Sequence, residues 1–75
     1  MSRTTLHFHE CEHSGNMDEY AWDLRESGAT IVNRTLGDVD SGDETCSIEF
    51  TYTDKESFMA KFKETDAYLF SNLYH

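Results

Sequence analysis

The chain has 75 residues and a formal net charge of −9, with fifteen Asp and Glu against six Lys and Arg. Such a surface repels phosphate, which argues against direct nucleic-acid binding and against an anionic membrane, since both rely on clustered Lys and Arg. The length suits one domain, residues 1–75, whose small core buries only about 60% of the surface the unfolded chain exposes.

Leu, Ile, Val and Phe together supply 14 residues, a low share that with high net charge points towards disorder. Ten Phe, Tyr and Trp residues point the other way, because each buries a large area, so a folded chain is expected, with self-association adding stability. Met1 to Leu6 lacks a basic region followed by an apolar run, and no stretch approaches membrane-spanning length, so neither a secretory leader nor a span is expected. Cys11 and Cys46 are too few for a disulfide framework; reduced thiols in a cytoplasmic setting are the expectation. With no Pro and four Gly, no linker or repeat is visible.

From Thr4 to Glu12 the residues alternate, with Thr4, Leu6, Phe8 and Glu10 on one side and Thr5, His7, His9 and Cys11 on the other. That predicts a first strand. Asn16 and Glu19 have capping-box spacing, and Met17, Tyr20, Ala21 and Leu24 recur at helical intervals, predicting a helix to about Ser27 with Gly28 as its C-cap. Ala29 to Leu36 is rich in β-branched residues. After a turn over residues 37–44, Cys46, Ile48, Phe50 and Tyr52 alternate with Ser47, Glu49, Thr51 and Thr53, which predicts a hairpin. Thr53 and Glu56 repeat the capping-box spacing before a second helix that buries Phe58, Met59 and Phe62. Residues 67–74 fit a helical stripe or a short last strand, and helix is favoured for most of them.

This order predicts an α+β, two-layer, ferredoxin-like-related βαββα chain, or βαββαβ if a last strand forms, with an antiparallel sheet and two helices on one face. A right-handed crossover places the first strand beside the third. Without a last strand the first strand is an exposed edge, and pairing with its copy in a homodimer covers it.

The row His7, His9, Cys11 and His13 is the nearest approach to a chemical motif. Successive members of such a row stand about 6.8 Å apart at Cα, close enough for His7 and His9 to chelate a transition metal such as zinc with ligands from elsewhere, Cys46 or Glu49 among them. The plain alternative is a polar sheet face on which imidazoles sit harmlessly. Asp38 to Glu49 superficially echoes a calcium loop, but Gly42 and Asp43 stand where a ligand and the turn glycine are required, so a solvated acidic hairpin is expected. No nucleophile elbow or phosphate-binding loop is present and the chain is short for a deep pocket, so no enzyme activity is expected.

No basic residue occurs between Arg34 and Lys55, where Asp38, Asp40, Asp43 and Glu44 lie on the predicted hairpin turn. Carboxylates on a projecting loop can engage Arg and Lys of a partner. Trp22 stands off the apolar stripe of the first helix, on the side shared with Asp18, Arg25 and Glu26, as an interface anchor would, although a ring folded over the helix edge onto Tyr20 fits the same position. The expected function is a small acidic binding protein that docks on a basic surface of a partner protein and inhibits or modulates it, as a nucleic-acid mimic does. Small acidic inhibitors of viruses and mobile elements have this composition. The alternative is a metal-binding module centred on His7 and His9, and adaptation to a salty environment explains the charge equally simply.

Overall fold

The computed structural model describes residues 3–11, 14–37 and 39–74. The elements run β1 (Arg3–Phe8), α1 (Ser14–Glu26), β2 (Thr30–Leu36), a 3₁₀ turn (Val39–Ser41), β3 (Cys46–Thr51), α2 (Lys55–Phe62) and α3 (Asp66–Phe70). The fold is α+β, with one three-stranded antiparallel sheet in the order β1-β3-β2.

Period-2 alternation in β3 decides which face of the sheet is dry. Cys46, Ile48 and Phe50 are buried while Ser47, Glu49 and Thr51 are half-buried, and the register sets Leu6 beside Ile48 and Phe8 beside Cys46 on the dry side. The opposite face is polar: Thr5 pairs with Glu49, His7 with Ser47, and Thr35 with Ser47 from the other edge. Tyr20, Ala21 and Leu24 of α1 and Phe58 and Phe62 of α2 join the buried cluster on the dry side. Rings do much of the packing. Phe8 stacks on Tyr20 at 4.8 Å, and Phe58 stands 5.2 Å from Phe50 and 5.4 Å from Phe62.

Gly28, at φ 101°, ends α1 as the sequence predicts. Its N–H donates to the Arg25 carbonyl and that of Ala29 to the Leu24 carbonyl, which is the Schellman pairing, and Ala29 and Leu24 are both buried. The start of α1 differs. The helix begins at Ser14, so Asn16 lies inside its first turn and does not cap it. In α2 the cap is Asp54, one residue after the predicted Thr53; its carboxylate accepts from the Glu56 N–H and the Ser57 hydroxyl. A carboxylate at that position also meets the positive end of the helix dipole, an advantage that a hydroxyl lacks.

Three expectations for the chain's ends and cysteines change. The first strand stops at Phe8 because Glu10 adopts a left-handed backbone at φ 59°, a conformation that costs a non-glycine residue about 1 kcal/mol, and turns the chain out of the sheet. The carboxyl-terminal segment is both of its alternatives in miniature: α3 is followed by a single bridge between Ser71 and Phe8. Ser71 spends its N–H on Tyr68 and its carbonyl on Tyr74, which curls the chain away before a strand can extend. Beside that bridge, Asn72 and His7 exchange two hydrogen bonds, so the tail covers part of the outer edge of β1.

Cys11 and Cys46 form a disulfide, with Cα atoms 5.9 Å apart, where reduced thiols were expected. The turn at Glu10 brings Cys11 inward, and its N–H donates to the Glu44 carbonyl. This removes the cysteine ground for a cytoplasmic setting, since such bonds persist in oxidising compartments. No helix among the described residues is long and apolar enough to cross a membrane.

Linking residues 35 positions apart restricts the unfolded chain by an amount worth about 4 kcal/mol. The paired substitution Cys11→Ala/Cys46→Ala is therefore expected to lower the unfolding free energy by about 2–4 kcal/mol, a large share of the stability of so small a chain. Urea unfolding of the wild type with and without reductant checks it: the reduced wild type should fall to the midpoint of the variant.

Candidate functional site

A cleft of about 530 Å³ lies where α1 meets α3 and the end of β1. Its lining combines the aromatic residues Tyr20, Trp22 and Phe70 with the acidic residues Glu10, Glu19, Asp23 and Asp66, beside Asn16 and Ala67. None of the six Lys and Arg lines it.

This lining follows from local structure. Glu19, Trp22 and Asp23 are neighbours at helical spacing on α1, so they share one side of the helix, next to the buried Tyr20. Asp23 reaches across to α3 and accepts the Ala67 N–H at 3.2 Å, which fixes the separation of the two helices. Tyr20 stacks on Phe8, touches Phe70 at 5.7 Å, and donates its hydroxyl to the carbonyls of His9 and Glu10 at 3.1 and 3.3 Å. Those bonds hold the left-handed bend that carries Glu10 to the rim. Trp22 is 60% exposed, an unusual position for the largest apolar ring of the chain.

The field in the cleft registers on Tyr20. Burial raises its hydroxyl above the ordinary phenol value, and the charges of Glu10 and Glu19 raise it further.

The residues singled out by sequence are not all brought together. Trp22 lines the cleft and Glu26 is exposed one turn further along α1, whereas Asp18 forms an ion pair with Arg34 of β2 and so is already engaged. On the hairpin, Asp40 and Glu44 are exposed. Asp43 braces the turn from within, accepting from the N–H and hydroxyl of Thr45, and it packs so closely on Gly37 that a Cβ there would stand 2.7 Å from its carboxylate. Asp38 lies outside the described residues.

Of the predicted row His7, His9, Cys11 and His13, the three described members do not share one strand. His7 is exposed in β1, on the polar face of the sheet, His9 lies beyond the strand's last residue, and Cys11 is buried in the disulfide. His13 lies outside the described residues. Among the described residues no three His, Cys, Asp or Glu side chains are grouped to hold a metal ion.

Sequence reasoning missed Glu10, Glu19, Asp23 and Asp66 as a group. The spacing of Glu19, Trp22, Asp23 and Glu26 at i, i+3, i+4 and i+7 was the available signal for the helical half of the site. No protein-family model matches the chain, and no curated protein or solved structure matches it with significant similarity.

A tyrosine whose neutral form is favoured in the fold contributes stability that is full below the unfolded phenol value of about 10 and is lost as pH rises through the higher folded value. Tyr20→Phe is expected to remove one tyrosinate ionisation above the ordinary phenol value from the alkaline absorbance titration and, with it, the share of alkaline destabilisation that ionisation causes. Parallel absorbance and unfolding measurements on the variant and the wild type check this.

Proposed function

We propose that this chain is a small acidic, non-enzymatic binding protein that docks on a basic surface of a partner protein and modulates or inhibits it, in competition with nucleic acid. The observation that carries the proposal is the α1–α3 cleft, whose lining includes the exposed Trp22 and four acidic residues and no Lys or Arg. Acidic side chains alone signal solubility as readily as binding. An exposed Trp at the mouth of an acidic cleft adds apolar area that solubility does not require, and residues of that kind anchor protein interfaces. Asp40 and Glu44 on the hairpin add long-range attraction for a basic surface.

On this proposal the fold is a ferredoxin-like plan whose fourth strand is reduced to the bridge at Ser71, and the chain self-associates. Exposed Leu69, Leu73 and Tyr74 lie on the segment that only partly covers β1, which leaves apolar surface for a second copy. Sedimentation at micromolar concentration is expected to return about twice the 8.7 kDa chain mass. A single 8.7 kDa species across a wide concentration range counts against the homodimer.

The docking function is tested by affinity capture from the native host at low and high salt, followed by displacement with nucleic acid. A captured basic protein should be released by salt and by nucleic acid, and Asp40→Asn with Glu44→Gln should slow its association. Trp22→Ala should weaken capture by about 2 kcal/mol. The same substitution should shift folding stability by no more than about 0.5 kcal/mol, because the ring is exposed. Capture indifferent to salt, to the neutralised hairpin and to Trp22 overturns the proposal.

A further inference from the structure

We infer that the α1–α3 cleft receives an arginine side chain of the partner, its guanidinium laid on the Trp22 indole and its N–H groups directed to the carboxylates of Glu19 and Asp66. The inference rests on the docking function proposed above and gives the contact its chemistry. Two observations and the chemistry of guanidinium select the occupant.

The first is charge complementarity inside a concavity that also has aromatic lining residues. Glu10, Glu19, Asp23 and Asp66 line the cleft without a Lys or Arg among the lining residues, so its charge is complementary to a cation supplied from outside the chain. One Asp23 oxygen is already held by Ala67, which leaves Glu19 and Asp66 as the better acceptors. The second is the aromatic lining. Trp22 is exposed and lines the cleft together with the half-buried Phe70, and a cation over an indole face is attracted by the ring quadrupole. A small hydrated metal ion makes no use of such a lining.

General chemistry separates arginine from lysine. Guanidinium is planar, weakly hydrated and forked, so it can stack on an indole while donating to carboxylates, whereas an ammonium is a strongly hydrated point charge. The pairing of ring and anions has a counterpart in nucleic acid, where arginine planes stack on bases and donate to phosphates. In this cleft the Trp22 ring stands for the base and the carboxylates for the phosphates. A basic protein that uses arginine to hold nucleic acid would find both partners of that side chain here.

Trp22 is the only tryptophan, so its emission reports on the cleft without labelling. Blocked tri-arginine, tri-lysine and tri-citrulline peptides are titrated into the intact disulfide-bonded protein at low salt. Tri-arginine is expected to change the emission saturably and to bind about threefold or more tightly than tri-lysine, while neutral tri-citrulline gives no saturable change. Asp66→Asn and Glu19→Gln should each weaken tri-arginine about tenfold with an unchanged urea midpoint. Equal binding of tri-lysine, binding of tri-citrulline, or full affinity in both variants overturns the inference. The natural partner separates this failure from failure of docking itself: salt-sensitive capture that persists in Asp66→Asn/Glu19→Gln overturns the arginine site and leaves the docking function standing. Arginine-selective binding by a chain that captures no partner upholds the site and removes the function proposed for it.

Discussion

The stacking of Phe8 on Tyr20 is the contact on which most of the molecule depends. Phe8 is the last residue of β1 and Tyr20 lies in the second turn of α1, so the 4.8 Å stack ties the sheet to its first helix at the point where the chain leaves the strand. The phenol oxygen then acts at a second level, donating to the carbonyls of His9 and Glu10 and stabilising a left-handed bend that a glutamate would not choose alone. The bend has two outcomes. It turns Cys11 towards Cys46, and it sends the Glu10 carboxylate to the cleft. A single side chain thereby links core packing, covalent cross-linking and the electrostatics of the site.

So small and acidic a chain faces a stability problem that its aliphatic content does not solve. Self-repulsion at a net charge of −9 works against the compact state, and the buried aliphatic side chains are few. Two devices offset this. Rings form a connected network from Tyr52 through Phe58 and Phe62 to Tyr68 and Tyr74, and the disulfide limits the unfolded ensemble. With those in place the acidic residues are left for the surface, where some do structural work: Asp54 caps α2, Asp43 braces the hairpin and Asp23 spans α1 and α3.

Where local pattern governs structure, the elements were legible from the residues. The alternation through Cys46, Ile48 and Phe50, the stripe of Tyr20, Ala21 and Leu24, and Gly28 as a C-cap all depend on spacing alone, and all appear as expected. The misread features depend on contacts distant in sequence. Nothing between Thr4 and Glu12 announces that alternation stops at Phe8, because the reason is a hydroxyl 10 residues beyond Glu10. The pairing of Cys11 with Cys46 follows from that same bend. The cleft was half legible: Trp22 stood out as exposed, but Asp66 joins Glu19 only when α3 packs on α1, and α3 is too short to show a period.

The same distinction bears on which acidic residues can confer recognition. On the proposed docking function, exposed carboxylates such as Asp40 and Glu44 would meet a partner through solvent, where an ion pair contributes about 0–1 kcal/mol and salt weakens it. They would attract any basic surface alike. In the cleft a cation bound as proposed would lose water against the exposed Trp22 indole while gaining carboxylate acceptors, and the geometry of the cation then matters. Asp23, tied to the backbone of α3, keeps α1 and α3 at a fixed separation before any partner arrives, so less ordering is needed on binding. Under the proposed function the hairpin would draw a basic protein in, and the cleft would distinguish one such protein from another.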